Sequence, residues 1–253
     1  MRPRARDAAL GVTGTLGVLA LWEAVARSGL VSPVVFPPPT TAVVDALRRV
    51  PLPDLAGHVG VSLLRVAWGF ALGAGLGVLI GITSGWYRTL AALIHPVIEL
   101  LRPIPPLAWI PMAIVWFGLG EPSKVFVIFL GAFFPMVTNT YRGMTGIDPV
   151  LLRAAQTMGL SGPRLLFQVA IPAALPDIAT GVRVGWGLSF GVLVAAELIA
   201  AERGMGFLIM HARQLGEIAV IIFGIILIGA TNLVTDYCLG EVIRRRLGRW
   251  HPG

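Results

Sequence analysis

From residue 60 to residue 84 the chain reads GVSLLRVAWGFALGAGLGVLIGITS, a run of apolar and small residues interrupted by one arginine. It is longer than the roughly 20 residues a helix needs to cross the hydrocarbon core of a bilayer. Further runs lie near residues 9–27, 90–117, 123–142, 178–200 and 216–240, separated by Gly, Pro and charged residues that break the pattern. A chain with this pattern has few choices of fold. Backbone polar groups in lipid must be satisfied within the segment that carries them, so the runs predict an all-α integral membrane protein with about six transmembrane helices. Charged residues make up 13% of the 253 residues, about half the share usual in soluble domains. The net charge of +7 would point to nucleic acid in a soluble protein. Here the basic residues cluster in loops and tails, where they set topology, and no nucleic-acid partner is expected. Cys238 is the single cysteine, and His58, His95, His211 and His251 lie far apart, so no metal site and no cofactor is expected.

Six spans place both termini on one side. Arg2, Arg4, Arg6, Arg88, Arg142, Arg153, Arg164, Arg183, Arg244, Arg245, Arg246 and Arg249 fall on that side, against Arg27, Arg48, Arg49, Arg65, Lys124, Arg203 and Arg213 on the other. The bias makes the terminal side cytoplasmic. The chain is therefore read as a multi-pass membrane protein with both termini cytoplasmic. The first span resembles a signal peptide at Ala24-Val25-Ala26, but Glu23 and the length of the run fit an uncleaved anchor better. After it, VFPPPTTAVVDALRRV predicts a stiff proline run and then a short extracytoplasmic helix, capped by Thr40 or Thr41 with Asp45 in its first turns. The domain reading is an anchor and extracytoplasmic segment over 1–58 and a core over 59–253.

Several residues inside the spans ask for a reason. Gly69, Gly73, Gly77, Gly81 and Gly85 recur every fourth residue, a spacing that lets another helix approach backbone to backbone, within the subunit or between subunits. The third span contains LRPIPPLAWIP; so many prolines cannot continue one helix, and broken backbone at that depth belongs against protein or a water-filled cavity. Arg102 beside it, and Glu197 near the outer end of the fifth span, mark either an interface or a translocation route. A phosphate-binding loop needs G-x-x-x-x-G-K-[ST], and Lys124, the only lysine, is followed by Val125; nucleotide hydrolysis is not expected of this chain. Gly187-Leu188-Ser189-Phe190-Gly191 matches a bare G-x-S-x-G without the strand-to-helix turn that exposes such a serine.

The polar stretch LLRAAQTMGLSGPRLLFQVAIPAALP, residues 151–176, sits between two spans on the cytoplasmic side. Its Ala154, Ala155, Gly159, Val169, Ile171 and Pro172 resemble the cytoplasmic loop of permease subunits of binding-protein-dependent ATP-binding-cassette importers. The pattern there is Glu-Ala-Ala, three residues, Gly, nine, Ile, one, Leu-Pro, with Arg153 standing here in place of the glutamate. SLLRVAWGFALG, LRPIPPLAWIPMAIVWFGLGEPSKVF, GAFFPMVTNTYRG, PAALPDIATGVRVGWG, the AEL at Ala196–Leu198 and the closing Trp250 extend the likeness to the nitrate, sulfonate and taurine branch. The resemblance implies the type I importer permease fold, with a coupling helix in the loop near 148–176 that docks in a groove of a cytoplasmic ATPase. It also implies a place in the bacterial cytoplasmic (inner) membrane, an extracytoplasmic solute-binding protein, a second permease subunit (a homodimer), and a pathway lined in part by Arg102, Trp109, Arg183 and Glu197. The solute would be a small organic molecule or anion, for which Arg102 or Arg183 is electrostatically suited. The apolar face of Leu151, Leu152, Ala155, Met158 and Leu160 fits docking, and Gly159 permits a turn of positive φ. Pro172 and Pro176 are expected to stop the fifth span from extending back through the loop. Two rivals remain at this point: an ion-driven secondary transporter, which needs an ion site, and an intramembrane enzyme built on Ser189.

Overall fold

The computed structural model describes residues 5–32 and 35–247. Arg2, Arg4, Arg249, Trp250 and His251 lie outside the described residues, as do the side chains of Arg6 and Arg246. Among the described residues the regular elements are all helical. Helix α1 (Ala5–Arg27) leads to α2 (Pro39–Arg49) and then to α3 (Leu52–Trp86). After these come α4 (Arg88–Leu101), a 3₁₀ turn at Pro106–Trp109, α5 (Ile110–Phe117) and α6 (Glu121–Thr145). The connecting helix α7 (Pro149–Thr157) precedes a continuous helical stretch: α8 (Gly162–Leu165), a π turn at Leu166–Ala170, and α9 (Ile171–Ala200). Helices α10 (Met205–Leu215) and α11 (Ile218–Leu247) complete the chain. Four helical stretches are long and apolar enough to span a membrane among the described residues, five if the bent pair α4–α5 counts as one. The 23 residues of α1 extend about 35 Å at 1.5 Å per residue. The division expected at residue 58 falls inside α3, which starts ahead of the expected residue 60.

The glycine ladder of α3 explains how the bundle is assembled. Gly69 lies against Ile128 and Gly85 against Met144, so α3 runs parallel to α6 along most of its length. A Cβ at Gly73 would stand 2.5 Å from the Phe129 carbonyl oxygen, one at Gly77 2.5 Å from Met136 Cβ, and one at Gly81 2.5 Å from Thr140 Cβ. No side chain fits there, and the two backbones meet directly, as small-residue stripes allow in lipid. Of the two placements open for this stripe, the structure shows contact within one subunit. On its other side α6 meets α9 in the opposite sense, with Gly181 against Asn139, Gly185 against Ala132 and Gly131 against Ser189 and Val192. Helices α3, α6 and α9 thus form a tightly packed slab with α6 at its centre. Its two ends are here called the Glu121 end and the Thr145 end. Arg49, Arg65, Lys124 and Arg203 lie at the first, and Arg142, Arg153 and Arg164 at the second.

The proline-rich third span breaks as its sequence demands. The axes of α4 and the Pro106–Phe117 segment diverge by 84°, with Arg102, Pro103, Ile104 and Pro105 at the joint. Two local expectations are corrected. No hydroxyl of Thr40 or Thr41 caps α2: Pro38 occupies the cap position. The free N–H of Thr40 is met instead by the Glu23 carboxylate of α1 at 3.3 Å, and the Thr40 hydroxyl donates to the same carboxylate at 2.7 Å. An acid from another helix serves as the cap because it reaches the positive helix end. Likewise Pro172 and Pro176 do not stop the fifth span, which runs unbroken from Gly162 to Ala200. The π turn ahead of Pro172 supplies the reason. The Ile171 N–H reaches back five residues to the Leu166 carbonyl, widening the helix one position before the proline ring, the place where a regular turn would clash.

Candidate functional site

The connecting loop is built by short-range chemistry. Asp148 starts α7, its Oδ1 accepting from the Val150 N–H at 2.8 Å, and Pro149 sits in the first turn, where no intrahelical donor is needed. At the other end Gly159 adopts φ +87°. Its N–H donates to the Gln156 carbonyl at 2.9 Å, and the Leu160 N–H donates to the Ala155 carbonyl at 3.1 Å. This pair of bonds is a Schellman closure, which satisfies carbonyls that the helix end would otherwise leave open. α7 is therefore a self-contained unit of nine residues.

The signature residues divide between two faces. Ala155 is 7% exposed, and Leu152 and Ile171 pack on the cluster of Met144, Ala170 and Ala174, where α6 ends and α9 begins. Val169 and Pro172 are half-buried beside them. Arg153, Ala154, Val150 and Leu151 face outward, and Met158 is 83% exposed. The apolar face read from the sequence thus splits: Leu152 and Ala155 hold the helix to the bundle, while Leu151 and Met158 project from it. A short helix, closed at both ends, rigidly seated and presenting methionine and leucine to its surroundings, has the form of a surface that receives a partner.

The four pathway candidates do not converge. Arg102 lines a cavity of about 270 Å³ at the α4–α5 joint, together with Pro106, Gly131, Phe134, Asn139 and Leu188. Trp109 is half-buried in the 3₁₀ turn, its indole N–H buried without a hydrogen-bond partner and its ring 6.2 Å from that of Trp116. Arg183 lies on the outer face of α9 and pairs with Asp236 of α11 at 3.1 Å. Glu197, expected at an interface or along a route, is instead fully enclosed (0% side-chain exposure). Ser189 is also fully buried, inside the α6–α9 contact, its hydroxyl donating to the Ile128 carbonyl at 3.5 Å. Among the described residues no three His, Cys, Asp or Glu side chains come together as a metal site requires.

The enclosure of Glu197 exposes a cluster at the Glu121 end that sequence reading missed. Glu197 Oε1 accepts from Arg65 Nη1 at 2.7 Å and from the Ser62 hydroxyl at 2.7 Å, while Oε2 accepts from the Gly206 N–H at 2.8 Å. The Met205 N–H donates to Ser62 Oγ at 2.9 Å and the Gly204 N–H to His58 Nδ1 at 3.0 Å. The open N–H groups at the start of α10 are thus satisfied by side chains from α3 and α9. Arg65 also turns a two-pronged face to Glu121, with Nε and Nη2 each 2.6 Å from a carboxylate oxygen, and Lys124 Nζ joins the same carboxylate at 2.9 Å. The available signal was an arginine in an otherwise uncharged run, which in a membrane calls for a partner; the identity of that partner was not local.

Residues 73–248 match the family described as binding-protein-dependent transport system inner membrane component. A putative aliphatic sulfonates transport permease protein SsuC of Bacillus subtilis is 37% identical, over 92% of this chain and 84% of that protein. The taurine transport system permease protein TauC of Escherichia coli is 38% identical, over 98% and 92%. The bicarbonate transport system permease protein CmpB of Synechococcus elongatus is 36% identical, over 90% and 85%. In fold, the chain is similar to a solved structure of the MetNI methionine ABC transporter in inward-facing conformations. That match has a TM-score of 0.55 and 21% identity, covering 81% of this chain and 96% of that one.

Proposed function

The chain belongs to the family of binding-protein-dependent transport system inner membrane components, and from that premise we propose how this permease subunit of an ATP-binding-cassette importer works. Helix α7 is the coupling helix, seated by Leu152 and Ala155 and presenting Leu151, Arg153, Ala154 and Met158 to a separate ATPase subunit. The observation that carries this reading is the exposed Met158 beside a Schellman-closed helix end. A nine-residue segment so fully satisfied internally leaves its outer apolar side chains for a partner. The Thr145 end and both termini are cytoplasmic, on the basic-residue bias, and the solute-binding protein meets the Glu121 end. Two copies of this chain enclose the pathway. ATP-driven approach of two ATPase subunits moves α7, and because Leu152 packs on Met144, Ala170 and Ala174, where α6 ends and α9 begins, the slab follows as a rigid body.

The solute is a small organic anion or zwitterion of the sulfonate or taurine kind. Relatives carrying those names support this, as does Arg102, whose place on the cavity at the broken span makes it the pathway cation of choice. Arg183, already paired with Asp236, ranks below it.

Co-expression with a candidate ATPase and purification in mild detergent test the coupling reading. A complex with ATP hydrolysis is expected, and Gly159→Asp should abolish it. A Cβ at position 159 meets nothing within 4 Å, so the isolated chain has room for the new side chain and pays only backbone strain of about 1–2 kcal/mol. Loss of the complex from a folded variant would therefore report on the partner's groove. An intact, active complex in Gly159→Asp, or uptake by the chain without any ATPase, would overturn the reading.

A further inference from the structure

At the Glu121 end, beside the enclosed Glu197, lies a second and larger cavity of about 760 Å³, lined among others by Arg65, Trp68, Glu121, Lys124, Glu202 and Arg203. Its polar wall is unusual in how unevenly its ion pairs are enclosed. Arg65 and Lys124 each have 4% side-chain exposure, and Glu197 has none. Glu121, the carboxylate on which both cations converge, is 56% exposed. The guanidinium therefore has two different sides. Nη1 is committed to the sealed interior, to Glu197 and to the Arg203 carbonyl at 2.5 Å. Nε and Nη2 form a parallel fork directed at the half-open Glu121.

We propose that this fork and Lys124 form a binding site for a compact oxyanion, a sulfonate or a carboxylate, and that Glu121 occupies it as a built-in competitor. With Glu121 in place, Arg65, Lys124, Glu121 and Glu197 sum to zero. With Glu121 turned outward the remaining three groups carry a net +1 at the wall of a cavity, a field that draws an anion. The Arg65 fork is already oriented, because Glu197 and the Arg203 carbonyl hold its far side. Two parallel N–H donors fit the oxygens of a carboxylate or sulfonate equally well. Release of Glu121 is local: it is the first residue of α6, and the segment before it contains Gly118 at φ +76° and the exposed Gly120. Departure of Glu197 would instead strand the buried Arg65 together with the Ser62 hydroxyl and the Gly206 N–H, so exchange happens on one side only. The inference rests on the proposed function for the class of solute, and it places a first anion contact at the end of the bundle far from α7.

The test uses the full chain in nanodiscs, without the ATPase, so that it stands apart from the coupling reading. Trp68 on the cavity wall is the reporter, with Trp68→Phe as the blank, and ethanesulfonate is titrated in zwitterionic phosphatidylcholine discs. Saturable quenching is expected. Glu121→Gln should tighten the apparent Kd about tenfold, the factor expected if the competitor holds the fork about nine-tenths of the time. Lys124→Gln, a milder change than removing Arg65, should weaken binding relative to wild type. A parallel titration in discs containing phosphatidylglycerol separates a soluble anion from a lipid headgroup. A response to phosphatidylglycerol that ethanesulfonate cannot add to would keep the site and assign its oxyanion to lipid. No response in either disc, or the same affinity in wild type, Glu121→Gln and Lys124→Gln, would overturn the inference while leaving the coupling helix untouched.

Discussion

The two ends of the α3–α6–α9 slab solve opposite problems. At the Thr145 end, α7 settles its polar groups with its own neighbours in sequence, Asp148 at one terminus and the Gly159–Leu160 turn at the other. It then leaves Met158 and Leu151 exposed. At the Glu121 end the polar groups are settled across the fold: Arg65 joins Glu197, 132 residues away, and Glu121, 56 residues away. One end is complete in itself and open to a partner. The other is incomplete without distant helices, which enclose Arg65, Lys124 and Glu197 and leave Glu121 half-open at a cavity. With coupling assigned to α7 as proposed above, stability and coupling fall to different ends, so a change at one should spare the property governed by the other.

The largest effect should come from breaking the enclosed Arg65–Glu197 pair. Arg65→Ala leaves Glu197 buried without its cation, a loss of about 3–5 kcal/mol, and thermal unfolding followed by size-exclusion chromatography should show it as a sharply lowered midpoint. The double variant Arg65→Met/Glu197→Met should recover much of that loss, since no charge is then stranded. If Arg65→Ala unfolds at the wild-type temperature, the division of labour between the ends is mistaken.

An intermediate effect is expected at the slab's centre. Gly73→Ala places a methyl group against the Phe129 carbonyl oxygen, which belongs to a helix backbone and cannot yield as a side chain would. Overpacking of roughly 1–3 kcal/mol should outweigh the gain of up to about 1 kcal/mol in helix propensity. The same unfolding measurement decides the sign. The smallest effect belongs to the open end. Asp148→Ala removes one cap, about 1 kcal/mol, and should speed amide hydrogen exchange in α7 while leaving α3 and α6 protected. Faster exchange throughout the slab would show that α7 is part of the stabilising core after all.

The legibility of the two ends differs for the same reason. The Gly159 turn and the break at Pro103–Pro106 are decided within a few residues and were readable where they stand; the Asp148 cap, equally local, went unread. The pairing of Arg65 was not. Both Arg65 and Glu197 were visible as charges in apolar surroundings, yet nothing nearby says which charge meets which, and the exposed-looking Glu121 and Lys124 gave no sign that they belonged to the same cluster. The extension of the fifth span through Pro172 was misread because the widened turn at Leu166–Ala170 removes the clash that the proline predicts. The α2 cap was misread because the helix begins at Pro39, which puts Thr40 inside the first turn, where its own N–H and hydroxyl both donate to Glu23 on another helix.

The sequence alone determined that this chain crosses a membrane, where its third span must break, and how its connecting loop closes, because hydropathy, proline and capping chemistry act over one or two turns. Tertiary structure decided which helices lie backbone to backbone along the glycine ladder and which charges share a carboxylate. Between helices in lipid there is little hydrophobic force to choose partners, so steric fit and the satisfaction of buried polar groups make the choice. Both depend on the three-dimensional register of segments far apart in the chain.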